Sequence, residues 1–207
     1  MNSSYEQKHP LYAASFTKRR KAMDLYEGGE RIEGNRAYLT RHTYESDKQY
    51  DIRASRATYR NFAAPIVDVF ASFINEGRPE RILPDALRPI EADADRYGMT
   101  ADAFFADVTR LAAAGGARFV IVDMEQKKGE TVAEDRASGR RLVSYFTSIS
   151  PDDVWDWGMD AKGLGWAVVH SEVMEHPAAF AAPVRYETLS VWMRDSWTRY
   201  RRPMKDK

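Results

Sequence analysis

Gly115-Gly116-Ala117-Arg118-Phe119-Val120-Ile121-Val122-Asp123-Met124 is where the pattern of this 207-residue chain changes. Before it, apolar residues recur every three or four positions; after it, they come in short β-branched runs. Two successive glycines stop a helix, because they adopt the left-handed backbone of a C-terminal cap without steric cost. The continuous apolar run from Phe119 to Val122 then predicts a buried strand.

Upstream of the glycines, Phe104, Phe105, Val108, Leu111 and Ala112 form the apolar stripe of a helix. Thr100 is its N-cap, and Asp102 complements the helix dipole. Pro10 and Gly28-Gly29 bracket a first helix with Tyr12, Phe16, Met23 and Tyr26 on one face. Residues 30–43 read as a connector anchored by Tyr38-Leu39. A long helix is predicted over 44–75, with Tyr50, Ala54, Ala57 and Asn61 in register in its polar half. Its second half, Ile66 to Ile74, is strongly apolar, and Pro65 kinks or divides it. A short acidic helix is predicted over 83–97, closed by Gly98.

Downstream, residues 125–140 combine high charge with no apolar period, which predicts an exposed, protease-sensitive loop. A second strand is predicted over 142–149. Pro151-Asp152-Asp153 then turns into Val154-Trp155-Asp156-Trp157, with both tryptophans assigned to the core. A turn over 158–163, a third strand over 165–173 and a Pro/Ala-rich loop over 176–183 follow. The segment 185–200 is aromatic, and its first half reads as strand. Helices followed by a meander of strands predict an α+β fold, N-terminal helices packed on a mostly antiparallel C-terminal sheet. The expected division is a mainly helical region, 1–116, and a β-rich region, 117–207, together one structural unit.

Net charge is zero, with 31 basic and 31 acidic residues, so whole-molecule attraction to nucleic acid is not expected. The distribution is uneven: +4 over residues 1–60, −6 over 61–135 and +2 over 136–207. Such patches suit weak, salt-dependent, head-to-tail self-association. No apolar run approaches the ~20 residues of a membrane span, and the N-terminus lacks a secretory pattern. The absence of Cys removes disulfides, thiolate metal sites and cysteine nucleophiles, and fits an intracellular protein.

Complete chemical motifs are missing, so no catalytic, cofactor-binding or metal residue is assigned. Asp123 ends an apolar strand as a magnesium-binding acid does in P-loop enzymes, but no phosphate-binding Gly-rich loop accompanies it. Asp152, Asp153, Asp156 and Asp160 form an acidic group without calcium-loop spacing. Together with Asp123 they define the alternative of a metal-dependent hydrolase. His9, His42, His170 and His176 have no metal-pair spacing, and a surface or half-buried role suits them. The segment from Trp192 to Arg202 interleaves aromatic and basic residues. It offers a DNA contact through Arg199, Arg201 and Arg202, or an adaptor-binding module.

An ordered series of motifs runs through residues 10–200. Tyr26-Glu27-Gly28-Gly29 leads to Ala37-Tyr38-Leu39-Thr40-Arg41, then to Glu45, Tyr50, Arg53, Tyr59 and Asn61 ahead of the Ile66–Ile74 helix. The Gly115–Asp123 stretch follows, and the series ends on Tyr145-Phe146, Ile149, Pro151, Asp153-Val154 and Asp156-Trp157. This series resembles the N-terminal, wing-type region of tailed-phage portal proteins. The resemblance implies a non-enzymatic subunit of a homo-oligomeric ring at the capsid vertex, where DNA passes. It also implies capsid or neck proteins as partners, a location in the virion and host cytoplasm, and no cofactor. Portal subunits are much longer, so the resemblance makes this chain a fragment, a split product or a shortened relative. Tunnel and motor functions are not carried over.

Overall fold

The computed structural model describes residues 7–77, 79–124, 131–137, 143–179 and 181–204. The fold is α+β, with helices first and a C-terminal sheet. Contacts divide the chain into two compact units: residues 18–148, and residues 1–17 with 149–207. The divisions between the units fall after Thr17 and after Ser148. In the 18–148 unit, Ile90, Ala94, Ala101 and Phe104 form a buried cluster, with Val120, Val143 and Phe146 packed against it. The first strands therefore complete a helical core, and the change of period at Gly116 marks a change of secondary structure only.

Helix α1 (Pro10–Glu27) buries Tyr12 and Tyr26 and half-buries Phe16 and Met23, the face its spacing predicts. Helix α2 (Asp47–Arg56) opens on a capping box between Ser46 and Gln49. Helix α3 (Ala63–Ile74) is separate, so the predicted 44–75 helix is broken over 57–62. Pro65 is not the cause. It sits in the first turn of α3, where a backbone N–H has no intrahelical acceptor to lose. The break arises because Tyr59 and Asn61 are engaged elsewhere. Tyr59 Oη donates to the Leu25 carbonyl (2.9 Å), and Asn61 Nδ2 donates to the Tyr26 carbonyl (2.6 Å). Both carbonyls lie in the last turn of α1 and have no partner within that helix.

Only one helical turn, α4 (Pro89–Ala92), forms where a helix was expected over 83–97. Asp93 accepts from the Gly98 N–H, and Asp95 accepts from those of Tyr97 and Met99. These local bonds compete with helix formation. Helix α5 (Ala101–Gly115) follows its prediction: Thr100 Oγ1 accepts from the Ala103 N–H, and Gly116 is left-handed at φ 83°. Strands β1 (Phe119–Asp123) and β2 (Tyr145–Ile149) make a two-stranded sheet. β1 is half-buried, with Val122 60% exposed, because one face of so small a sheet stays open. The predicted 125–140 loop contains a short helix, α6 (Val132–Ala137), begun by reciprocal bonds between Thr131 and Glu134. Residues 125–130 and 138–140 of that stretch lie outside the described residues.

In the other unit, β3 (Val154–Asp160), β4 (Gly163–Glu175), β5 (Val184–Met193) and β6 (Trp197–Pro203) form an antiparallel meander in that order. The aromatic 185–200 segment is thus a hairpin. β3 continues through Gly158, and the turn predicted over 158–163 shortens to Ala161-Lys162. Val154 pairs with Val169 and Asp156 with Val168, so Trp155 is an extra, bulged residue. Val154, Ala167, Val169, Thr188 and Ser190 are buried on one sheet face. Trp155 and Trp157 are half-buried rather than core. Trp155 stacks on His170 at 4.2 Å and Trp157 on His9 at 4.0 Å.

Gly158 lies under the indole of Trp166, its register partner across the ladder. A Cβ there would stand 2.2 Å from Trp166 Nε1. Gly158→Ala should force the indole outward and lower the unfolding free energy by about 1–3 kcal/mol. Urea denaturation followed by Trp fluorescence measures this, and an unchanged midpoint would contradict the packing.

Candidate protein-docking surface

The acidic residues singled out in the sequence are occupied by neighbours. Asp123 accepts from the Tyr145 hydroxyl (2.9 Å) and the Met124 N–H (2.8 Å). Burial first, and then this carboxylate, push the Tyr145 phenol above its ordinary value. Asp156 accepts from the Trp157 N–H. Asp160 accepts from Arg194 Nη2 (2.6 Å) and the Lys162 N–H (2.7 Å), and Arg194 above all holds its carboxyl low. Asp123 lies in the 18–148 unit, whereas Asp152, Asp153, Asp156 and Asp160 lie in the other. Among the described residues, no three His, Asp or Glu side chains come together where they could hold a metal ion. No described helix is long and apolar enough to cross a membrane.

The C-terminal arginines are similarly engaged. Arg201 Nη2 bonds Glu175 (2.5 Å), and its guanidinium sits 3.4 Å from the Tyr186 ring centroid. Arg202 pairs with Glu187, whose other oxygen is 3.2 Å from His170 Nε2. Arg199 donates to Ser190 Oγ and covers the Trp197 ring. A phosphate would have to displace these carboxylates from Arg201 and Arg202 before binding either cation.

The motif residues between Tyr26 and Asn61 prove to be internal brackets. Arg53 grips both carboxylate oxygens of Glu45, at 2.8 and 2.7 Å, and donates to the Thr40 carbonyl. Tyr50 Oη donates to the Leu39 carbonyl, and Tyr38 Oη to Asp24 (2.6 Å), so the 30–43 connector is tied down at both residues expected to anchor it. Tyr26 Oη donates to Asp68 Oδ1 (2.7 Å) and accepts from Arg110, which also pairs with Asp107. Burial and the Asp68 bond push the Tyr26 phenol up. This network joins α1, α3 and α5.

Among the described residues, the outer face of α3 forms a continuous exposed apolar surface. Ile66, Val69, Phe70, Phe73 and Ile74 are 58%, 53%, 64%, 69% and 65% exposed. Their spacing of 0, 3, 4, 7 and 8 makes one continuous stripe. The inward face holds Ala64, Val67 and the buried Ala71, with Asp68 bonded to Tyr26. The helix therefore presents its large apolar side chains outward and its small ones inward. No charged residue interrupts the stripe. Monomeric proteins rarely leave contiguous apolar patches larger than a few hundred Å2, and larger ones mark contact sites. Beside the C-terminal end of α3 lies an open cleft lined by Asn75, Arg81, Thr100, Asp102 and Phe105. Its cation, Arg81, is paired with Asp102.

Sequence reading found the apolar run from Ile66 to Ile74 but not its exposure. The available signal was the absence of any polar residue at the stripe positions, which is compatible with burial or with docking.

The Glu45 carboxyl is held at about 2 by Arg53, which hydrogen-bonds it. Because the folded value lies below the ordinary 4.5, its stabilisation is present above about pH 4.5 and is lost as pH falls toward 2. A carboxyl-detected NMR titration should place its midpoint near 2, and Arg53→Ala should return it to the ordinary carboxylate range. A wild-type midpoint above 4 would refute the bidentate pair. Neither a protein-family model nor a curated protein matches the chain.

Proposed function

We propose that the chain is a structural subunit that works by docking on other protein chains, of the type that forms the portal ring of tailed-phage capsids. The observation that carries this is the uncovered, charge-free apolar face of α3. Docking buries such a face at about 25 cal/mol per Å2, a gain far larger than exposed ion pairs give. The ordered motif series supplies the portal assignment, and the α+β architecture agrees with it. In this reading copies of the chain, with capsid or neck proteins, are the partners, and the virion and host cytoplasm are the location. The acidic middle and basic N-terminal thirds steer copies head to tail.

The alternative of a metal-dependent hydrolase would need Asp123, Asp156 and Asp160 freed from their present hydrogen bonds. The nucleic-acid alternative would need Arg201 and Arg202 freed from Glu175 and Glu187. Both draw less support than docking does.

Diluted below the concentration at which it self-associates, the native chain should bind a hydrophobic fluorescent probe such as ANS. Phe70→Glu with Phe73→Glu should remove most of that signal, leave the far-UV circular dichroism unchanged, and abolish association between differently tagged copies of the chain. Retention of both the probe signal and the association in the folded double variant would defeat the reading.

A further inference from the structure

We infer that the occupant of the α3 face is the α3 face of a second copy of this chain, packed antiparallel about a two-fold axis near Phe70. The inference rests on the docking role of α3 and specifies its partner. Ile66, Phe70 and Ile74 lie four residues apart on one ridge, and the order Ile-Phe-Ile reads the same in both directions. Reversing a second helix about Phe70 sets Ile66 against Ile74 of the second copy and Phe70 against its own equivalent. Val69 and Phe73 form the neighbouring ridge, and ridges four residues apart interlock at a crossing angle of about −50°.

Area and charge favour the same partner. Five side chains, each more than half exposed, present on the order of 600 Å2 of apolar surface per copy. Two such faces bury on the order of 1,200 Å2, the lower end of a stable specific interface. An isologous contact brings each group toward its own copy, so a charge on the stripe would meet a like charge. None stands there; Asp68, though exposed, lies off the stripe and is bonded to Tyr26. Interfaces between identical subunits are also more apolar at their cores than those between transient partners. A two-fold contact closes on itself at two copies, so it is distinct from the head-to-tail contact of a ring: it joins two subunits, or two rings, and leaves the remaining surface free for the rotation-related contacts.

The full chain should sediment as a dimer at tens of micromolar, and added sodium chloride should not dissociate it. Phe70→Glu should give a monomer with unchanged circular dichroism. The chain contains no Cys, so introduced thiols can be read without background. With a bis-maleimide spanning about 8–10 Å, the separation of packed helices, Phe70→Cys should cross-link to itself. Ile66→Cys and Ile74→Cys should cross-link efficiently only when the two variants are mixed. A monomeric wild type, a dimer that survives Phe70→Glu, or efficient Ile66→Cys self-cross-linking would overturn the inference. If the wild type is monomeric yet Phe70→Glu removes ANS binding, self-pairing fails while α3 docking stands. If Phe70→Glu leaves both unchanged, docking fails too.

Discussion

A single side chain, Asn61, sets the geometry on which the outer face of α3 depends. Its Nδ2 donates to the Tyr26 carbonyl at the end of α1, and its Oδ1 accepts from the Ala64 N–H at the start of α3. One amide thus satisfies an acceptor that ends one helix and a donor that begins the next. Close approach is possible because Gly28, left-handed at φ 67°, has no Cβ; one would stand 3.0 Å from Asn61 Nδ2. Seven residues after Asn61, Asp68 takes the Tyr26 hydroxyl. Two polar attachments on one side of α3 fix its rotation, and Phe70 and Phe73 point away as a result.

The same economy recurs in the charged residues. Arg53 with Glu45, Arg110 with Asp107 and Tyr26, and Arg201 with Glu175 and Tyr186 each join a cation to an acid and an aromatic ring or hydroxyl nearby. The forked pairing of Arg53 with Glu45 is geometrically specific. The Glu45, Tyr50, Arg53, Tyr59 and Asn61 series therefore reads as structural, each residue satisfying a backbone carbonyl or a partner side chain rather than a substrate. The Glu45 carboxyl is shifted downward by Arg53 of that series, whereas the Tyr26 phenol is shifted upward by burial and by Asp68.

Element type was legible wherever local chemistry and period agreed. Gly28-Gly29 ended α1, Thr100 and Gly116 bounded α5, and the β-branched runs became strands. What escaped was tertiary in origin. The 57–62 break is invisible to periodicity because Tyr59 and Asn61 leave the helix for carbonyls more than thirty residues away. The 83–97 helix failed to form where Asp93 and Asp95 offered the backbone local acceptors. The Thr131 to Glu134 capping box was present in the sequence and went unread. As for the α3 site, its residues were visible as an apolar run, but which side faces out depends on Asn61 and Asp68, and those bonds exist only in the fold.

An exposed apolar helix is ordinarily a liability, free to rotate or detach when its large side chains find no core. Here the hydrogen bonds of Asn61 and Asp68, with the burial of Ala71, hold α3 in place from its inner side alone. The stripe residues are each more than half exposed, so most of their surface can exchange water for a partner without reorganising the helix. Binding to such a face forfeits little conformational entropy, because the backbone is already ordered and Phe side chains carry only two rotatable bonds. That separation of duties, polar anchors within and apolar contact without, would let the proposed docking subunit fold before it assembles.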